Sequence, residues 1–392
     1  MSTDIIVIGG GIAGISAAAR LSEHAHVTLI EAERQLGYHA SGRSAALIEV
    51  NYGAASVQAL NRASIAHLEE GGYLSPRGLM IVASQNEKAA FDSDLAAMGV
   101  VQITVQEALD FVPVLDPDTL AYAGYHADAH DIDTDRLMQD FARQLRGNGG
   151  TVLTGQRVQA IRRMNDKWQI ETASQTLEAK TLENAAGAWA DTIADLAGIA
   201  PLGIVPHRRS MARIAAPGGQ DPDRWPMFFG VGETWYAKPD AGALLVSPAD
   251  EDPVEPHDAW PDDMVLAEGL DRYQTMVATP LTKPIPSWVG LRSFAPDRTL
   301  VLGPDPSMPD FVWCAGQGGY GFQTCVAASR LVANLTFGRP TELPSGVVSA
   351  LRPDRLLPRS PPPACRAGRR GERRRPVLSP STPPRTRRAG AP

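Results

Sequence analysis

The sequence predicts a mixed α/β fold in two parts, one built on a parallel sheet and one on an antiparallel sheet, from three observations. The chain opens on an unbroken apolar run, Ile5–Ile8, passes a glycine turn into an alanine-rich stretch of helical period, Ile12–Leu21, and meets a second apolar run, Val27–Ile30. Short apolar runs return far downstream, at 181–185, 300–302 and 311–314. Between residues 201 and 289, prolines and aromatics instead interrupt alternating segments. Unbroken apolar strands are those buried on both faces, as in a parallel sheet covered by helices; alternation marks strands with one face on a core or pocket. The first part is therefore Rossmann-like and discontinuous, expected at 1–60, 136–200 and 290–340. The second, expected at 61–135 and 201–289, shapes a pocket.

Each element has its own local reason. The strand–helix–strand opening makes its two strands parallel neighbours, because such crossovers are right-handed. Residues 133–145 read as an amphipathic helix, followed through the Gly147–Gly150 turn by a strand at 151–154. Residues 158–164 and 168–172 alternate like a hairpin with Asn165 and Asp166 in its turn. Residues 327–335 form a helix that Gly338 and Pro340 stop.

From 357 to 392 the chain is mostly Pro, Arg, Ala, Gly and Ser, too poor in apolar surface to offset its ordering entropy, and a disordered basic tail is expected. Residues 351–392 hold twelve arginines and two acids, a net +10, so the rest of the chain carries −17 of the total −7. An acidic globule argues against nucleic acid as partner. No apolar run reaches the roughly 18 residues of a membrane span, and the start is unlike a signal peptide. Three cysteines without metal spacing imply no metal site and fit a reducing cytoplasm.

The glycine turn is the first chemical signal. Gly9, Gly11 and Gly14 satisfy G-x-G-x-x-G between a strand and a helix. Gly9 permits the tight turn, Gly11 lets backbone amides approach a pyrophosphate, and Gly14 allows close helix–strand packing. The helix N-terminus adds its partial positive charge. Glu31, 22 residues after Gly9, closes the second strand, placed to accept from ribose hydroxyls. These features specify a dinucleotide without separating FAD from NAD; the acid at 31 disfavours a 2′-phosphate and so NADP.

Further segments carry a resemblance. Gly37 through Ala46 (GYHASGRSAA) lies where the D-amino-acid oxidase superfamily of FAD-dependent oxidoreductases wraps the flavin end of FAD. Asp131–Asp135, Asn184–Trp189, His207–Ser210, Trp235–Gly242, Trp288–Phe294 and Gln317–Thr324 match in order, most like the bacterial D-arginine dehydrogenases within that superfamily. The likeness runs from about Asp4 to Leu356. It implies a discontinuous FAD domain of the glutathione-reductase-2 type. It also implies FAD held by Gly9, Gly11, Ala13, Gly14, Glu31 and Ala32, with Val158 near the adenine. Ser41, Gly42, Arg43, Ser44, Ala45, Ala46, Ala186, Gly187, Gly318, Gly319, Tyr320, Gly321 and Gln323 complete the set.

The implied reaction is oxidative deamination of a D-amino acid to a 2-oxo acid, with a hydride passing from Cα to flavin N5. By the same resemblance Arg292 binds the substrate carboxylate, a shape that a bidentate guanidinium suits. Arg209 is a second pocket arginine, Tyr52 and Tyr236 are pocket tyrosines, and the Gly319 carbonyl accepts from the α-amine. Departures bear on the substrate. Leu79 stands where the arginine-specific members have a Glu gripping the cationic side chain, Leu47 where they have a His, and Glu49 where they have a Thr. Neutral or apolar side chains are therefore expected over D-arginine, with Glu49 as a rival acid that would keep D-arginine or D-lysine. Residues 242–248 contain no Lys of the sarcosine-oxidase kind, and Ser293-Phe294-Ala295 offers no Cys for a covalent tether. Non-covalent FAD and a quinone or other carrier as electron acceptor are expected; a glycine- or sarcosine-type oxidase releasing H2O2 is the alternative.

Overall fold

The computed structural model describes residues 3–281 and 284–357, so the expected disordered tail lies almost wholly outside the described residues. The first sheet has six strands, in the order Val301–Pro304, Phe311–Ala315, Thr181–Asn184, Ile5–Ile8, Val27–Ile30, Thr151–Leu153. All neighbours pair in parallel except the edge strand Val301–Pro304. The continuous apolar runs follow from the layers on both faces. One face packs against helices Ile12–Leu21, Ala55–Glu70, Thr134–Gly147 and Gly321–Thr336, whose buried residues share a core with Val7, Leu29 and Val312. The other packs Ile6, Ile8 and Trp313 against a three-stranded antiparallel sheet, 158–179, and helix Ala190–Leu196. Cys314 and Cys325 are buried in the first of these cores, as small apolar residues are.

The second sheet has eight strands: Ser287–Phe294, Val205–Ala215, Ala243–Ser247, Tyr236–Asp240, Met227–Gly230, Leu79–Ala83, Tyr122–His126, Val101–Ile103. It is antiparallel except where Met227–Gly230 and Leu79–Ala83 run parallel. Two elements cross the boundaries drawn from sequence. Helix Ala55–Glu70 spans residue 60, and its buried Val57, Leu60 and Leu68 join the core of the first sheet. Strand Ser287–Phe294 spans 289 and is the edge of the second sheet, with Arg292 opposite His207. The last long helix starts at Gly321, six residues ahead of the expected 327, because Phe322 to Val326 are buried and continue the apolar face.

Candidate functional site

One cavity of about 390 Å³ runs from the glycine turn of the first sheet to the face of the second, a size ordinary for small-ligand sites. At its nucleotide end the glycines leave no room for side chains. A Cβ on Gly9, whose φ is +111°, would lie 2.4 Å from the Ala185 carbonyl oxygen, and one on Gly14 would lie 1.9 Å from the Gly9 carbonyl oxygen. Helix Ile12–Leu21 is thus drawn against the turn with its N-terminus facing the cavity. Ser41, arriving from the segment 37–46, accepts the Ile12 amide at 2.9 Å. Both Glu31 oxygens are fixed by backbone amides, Gly10 at 2.6 Å and Glu33 at 2.8 Å, which holds an anionic acceptor at the second strand's end. A turn so tight that Gly9 and Gly14 admit no Cβ, a helix N-terminus and a fixed carboxylate fit the pyrophosphate and ribose of FAD.

Of the residues expected at the cofactor, Gly9, Gly11, Ala13, Glu31, Ala32, Ser41, Arg43, Ser44, Ala45, Ala46, Val158, Ala186, Gly187, Gly318, Gly319, Gly321 and Gln323 line this cavity. Gly14 and Gly42 do not: the first packs into the turn, and the second closes its own turn by donating to the Gly37 carbonyl at 2.6 Å. Tyr320 does not line it either; it stands at the head of helix Gly321–Thr336, its ring edge-on to Tyr52 at 5.6 Å.

The loop 40–46 is anchored from several sides. Arg43 donates to the Val289 carbonyl at 2.8 Å and to Asp258 at 2.6 Å, and its own carbonyl accepts the Trp288 indole at 3.2 Å. Lys238, which sequence reasoning passed over inside the matched 235–242 segment, donates to the Ala45 carbonyl at 2.6 Å. It lies 2.9 Å from Asp131, which also pairs with Arg77. Ala46 adopts φ +37°, a left-handed backbone that a non-glycine residue holds only under such constraint. His39 reaches Glu33 at 3.2 Å and packs on Trp189, supporting this loop, whereas His207 bonds the Val205 carbonyl and does not line the cavity.

At the other end Arg292, Arg209, Tyr236, Tyr52 and Gly319 meet in the same cavity. The Arg292 guanidinium sits over Gly319, where a Cβ would come within 2.9 Å of its Cζ; only glycine leaves it that room. Burial pulls the Arg292 pKa down, but Tyr236, Tyr52, Glu233 and Glu251 outweigh it and the net shift is upward, so the group is a permanent cation. Arg209 is 8% exposed; it touches Glu251 at 3.5 Å, and its Nε and one terminal nitrogen have no partner among the described residues. The Tyr52 hydroxyl donates to Glu233 at 2.9 Å, and burial, followed by that carboxylate, drives its pKa well up, keeping the phenol neutral. Glu233 was invisible in the sequence: it lies in a short turn, Val231–Glu233, in a left-handed conformation (φ +53°).

Beyond these polar groups the cavity wall is apolar, formed by Leu47, Leu79, Met98, Met227 and Phe229. Leu79 and Met227 are cross-strand partners, which sets them side by side. Glu49 also reaches the wall, but both of its oxygens are engaged, one by the Asn51 amide at 2.9 Å and one by His126 at 2.6 Å.

The family model described as DAO, FAD dependent oxidoreductase, matches residues 4–335. L-2-hydroxyglutarate dehydrogenase from Indibacter alkaliphilus is 24% identical over 211 residues, 50% of this chain and 53% of that protein, so the chain spans about half the length of this relative. FAD-dependent oxidoreductase domain-containing protein 1 from Mus musculus is 23% identical over 401 residues, 85% of this chain and 80% of that one. Among solved structures, L-proline dehydrogenase from P. horikoshii has a TM-score of 0.76 at 22% identity, covering 91% of this chain and 98% of its own. Glycine oxidase from Geobacillus kaustophilus has a TM-score of 0.75 at 22% identity, covering 88% and 98%. These two likenesses are of fold.

Proposed function

The chain belongs to the DAO family of FAD-dependent oxidoreductases, and on that premise we propose that it deaminates neutral or apolar D-amino acids to 2-oxo acids as a dehydrogenase. The observation that carries the reading is Arg292. It is a half-buried cation that donates no hydrogen bond to a described side chain, facing a cavity continuous with the glycine turn. A substrate carboxylate is the partner it lacks, and a guanidinium grips that shape through two parallel hydrogen bonds. FAD, when bound, supplies the two-electron acceptor for the substrate's Cα–H bond.

The chain's own residues then bind and orient. Arg292 and Tyr236 take the carboxylate, Arg209 adds a second positive charge, and the Gly319 carbonyl accepts from the neutral α-amine. The one Tyr52 proton is already given to Glu233, so Tyr52 covers the substrate rather than gripping its carboxylate. The side chain would lie against Leu47, Leu79, Met98, Met227 and Phe229. Two methionines in that wall suit side chains of differing shape. A guanidinium there would lie against leucine where the arginine-specific members have an acid, which costs on the order of 2–5 kcal/mol of recognition. The D configuration, non-covalent FAD and a quinone or other carrier as acceptor rest on the family likeness, on residues 242–248 and on Ser293-Phe294-Ala295.

Turnover with an artificial electron acceptor across a panel of D- and L-amino acids tests the proposal. D-Leu, D-Met and D-Phe are expected to exceed D-Arg and D-Lys in kcat/KM, with little peroxide formed in air. Highest kcat/KM for D-Arg or D-Lys would defeat the side-chain assignment, and stoichiometric peroxide would make the protein an oxidase.

A further inference from the structure

We infer that Glu49 is a masked carboxylate at the end of the side-chain compartment and that His126 masks it, so that the pair sets the choice between neutral and cationic side chains. The inference rests on the amino-acid reading above. Glu49 is 3% exposed and contributes to the cavity wall together with Leu47 and Leu79. Its backbone is fixed between strand Leu47–Ile48 and helix Ala55–Glu70: its carbonyl accepts the Tyr52 amide at 3.1 Å and the Asn61 side chain at 3.3 Å. These bonds fix the main chain at Glu49, and the Asn51 amide and His126 hold its carboxylate.

What weakens it as a grip is that each of its oxygens already holds a partner, one of them a side chain that a ligand would have to compete with. Oε1 accepts the Asn51 amide at 2.9 Å, and Oε2 lies 2.6 Å from His126 Nδ1. His126 ends strand Tyr122–His126 directly opposite Leu79, whose other neighbour is Met227. One row across three strands thus reads imidazole, leucine, methionine, with Glu49 closing its imidazole end. The imidazole is itself flanked by a second acid, Asp128, at 3.6 Å from Nε2. A cationic side chain reaching this end would have to displace His126 from Oε2, whereas a neutral one has nothing to displace. An unmasked carboxylate in such a low-dielectric wall would attract a guanidinium or ammonium strongly.

The test is the ratio of kcat/KM for D-Arg to that for D-Met in four proteins: wild type, His126→Leu, Glu49→Gln and the double variant. His126→Leu is expected to raise the ratio by at least about tenfold. Glu49→Gln is expected to lower it or leave it at the wild-type value, and the double variant to fall back to the Glu49→Gln value. His126→Gln keeps a donor to Oε2 and is expected to hold the wild-type ratio, which serves if His126→Leu fails to fold. A ratio unmoved in His126→Leu while D-Met is still consumed overturns the inference alone. A raised ratio that survives in the double variant also overturns it, because the effect would not run through the carboxylate. Absence of turnover of every D-amino acid by the wild type strikes the functional reading instead.

Discussion

Arg292, half-buried at the cavity, and Glu183, fully buried in the parallel sheet, show how differently two ionisable groups can be used. Arg292 retains its charge because tyrosines and carboxylates lie around it, and among the described residues its guanidinium has no hydrogen-bond partner, as the proposed carboxylate-binding role requires. Replacing it with Met is predicted to lower kcat/KM for the best D-amino acid by about 30- to 4000-fold, the equivalent of 2–5 kcal/mol, while purified protein keeps its yellow colour. Loss of flavin together with activity would show a structural role instead. Glu183 has no such use. It is 1% exposed in the parallel sheet, no charged group answers its carboxyl, which meets only the Cys314 thiol, and burial pushes its pKa up to about 8. Because the folded value lies above the ordinary 4.5, the unfolded chain releases this proton first as pH rises. The group weighs nothing against folding below about pH 4.5 and costs increasing stability up to about 8. Glu183→Val is therefore predicted to stabilise the protein by a few kcal/mol at pH 8 and by much less at pH 4.5, read from denaturant melts. Equal effects at both pH values would contradict this.

At the scale of elements, the loop 40–46 links the two sheets, and Lys238 is its deepest anchor. Strand Tyr236–Asp240 delivers the ammonium to the Ala45 carbonyl and to the half-buried Asp131, so that a partly buried ion pair holds a segment whose Ala46 backbone is strained. Lys238→Met is predicted to destabilise the protein by about 3–5 kcal/mol and to weaken FAD retention, measured as flavin per chain after dialysis. An unchanged flavin content would separate the anchor from the cofactor. Much at this scale was legible in the sequence. The glycine turn, Glu31, the helix after Asp133 and the hairpin around Asn165 are dictated by neighbours in the chain. Glu233 and His126 were not, and the cause is physical. Strands of three to five residues such as Leu79–Ala83 gain their place by pairing with Met227–Gly230, about 150 residues away, and no local pattern announces such a register. Lys238 was visible as a residue, but its task depends on where a distant carbonyl arrives.

For the whole molecule, the cavity joins a cradle from the first sheet to a wall from the second, so FAD bound there would cross-link them. FAD binds only the folded chain, and its presence at 100 times its Kd is predicted to add about 2.7 kcal/mol of stability. Thermal melts of apoprotein with and without added FAD read this directly; identical midpoints would mean that the cradle does not bind FAD in solution. Among the described residues no helix is long and apolar enough to cross a membrane. The order of strands in both sheets could not be read from sequence, since parallel neighbours such as Ile5–Ile8 and Thr181–Asn184 are joined through most of the intervening fold.

The central claim is that Arg292 pins an α-amino carboxylate where bound FAD can oxidise its α-carbon. Anaerobic mixing of the purified holoprotein with D-Met, with D-Leu and with their L-enantiomers, while following the oxidised-flavin absorbance, tests it most directly. The wild type should bleach with the D-amino acids and not with the L forms, and Arg292→Met should bleach far more slowly at the same concentrations. Bleaching by the L-enantiomers alone, or equal rates in both proteins, would contradict the account.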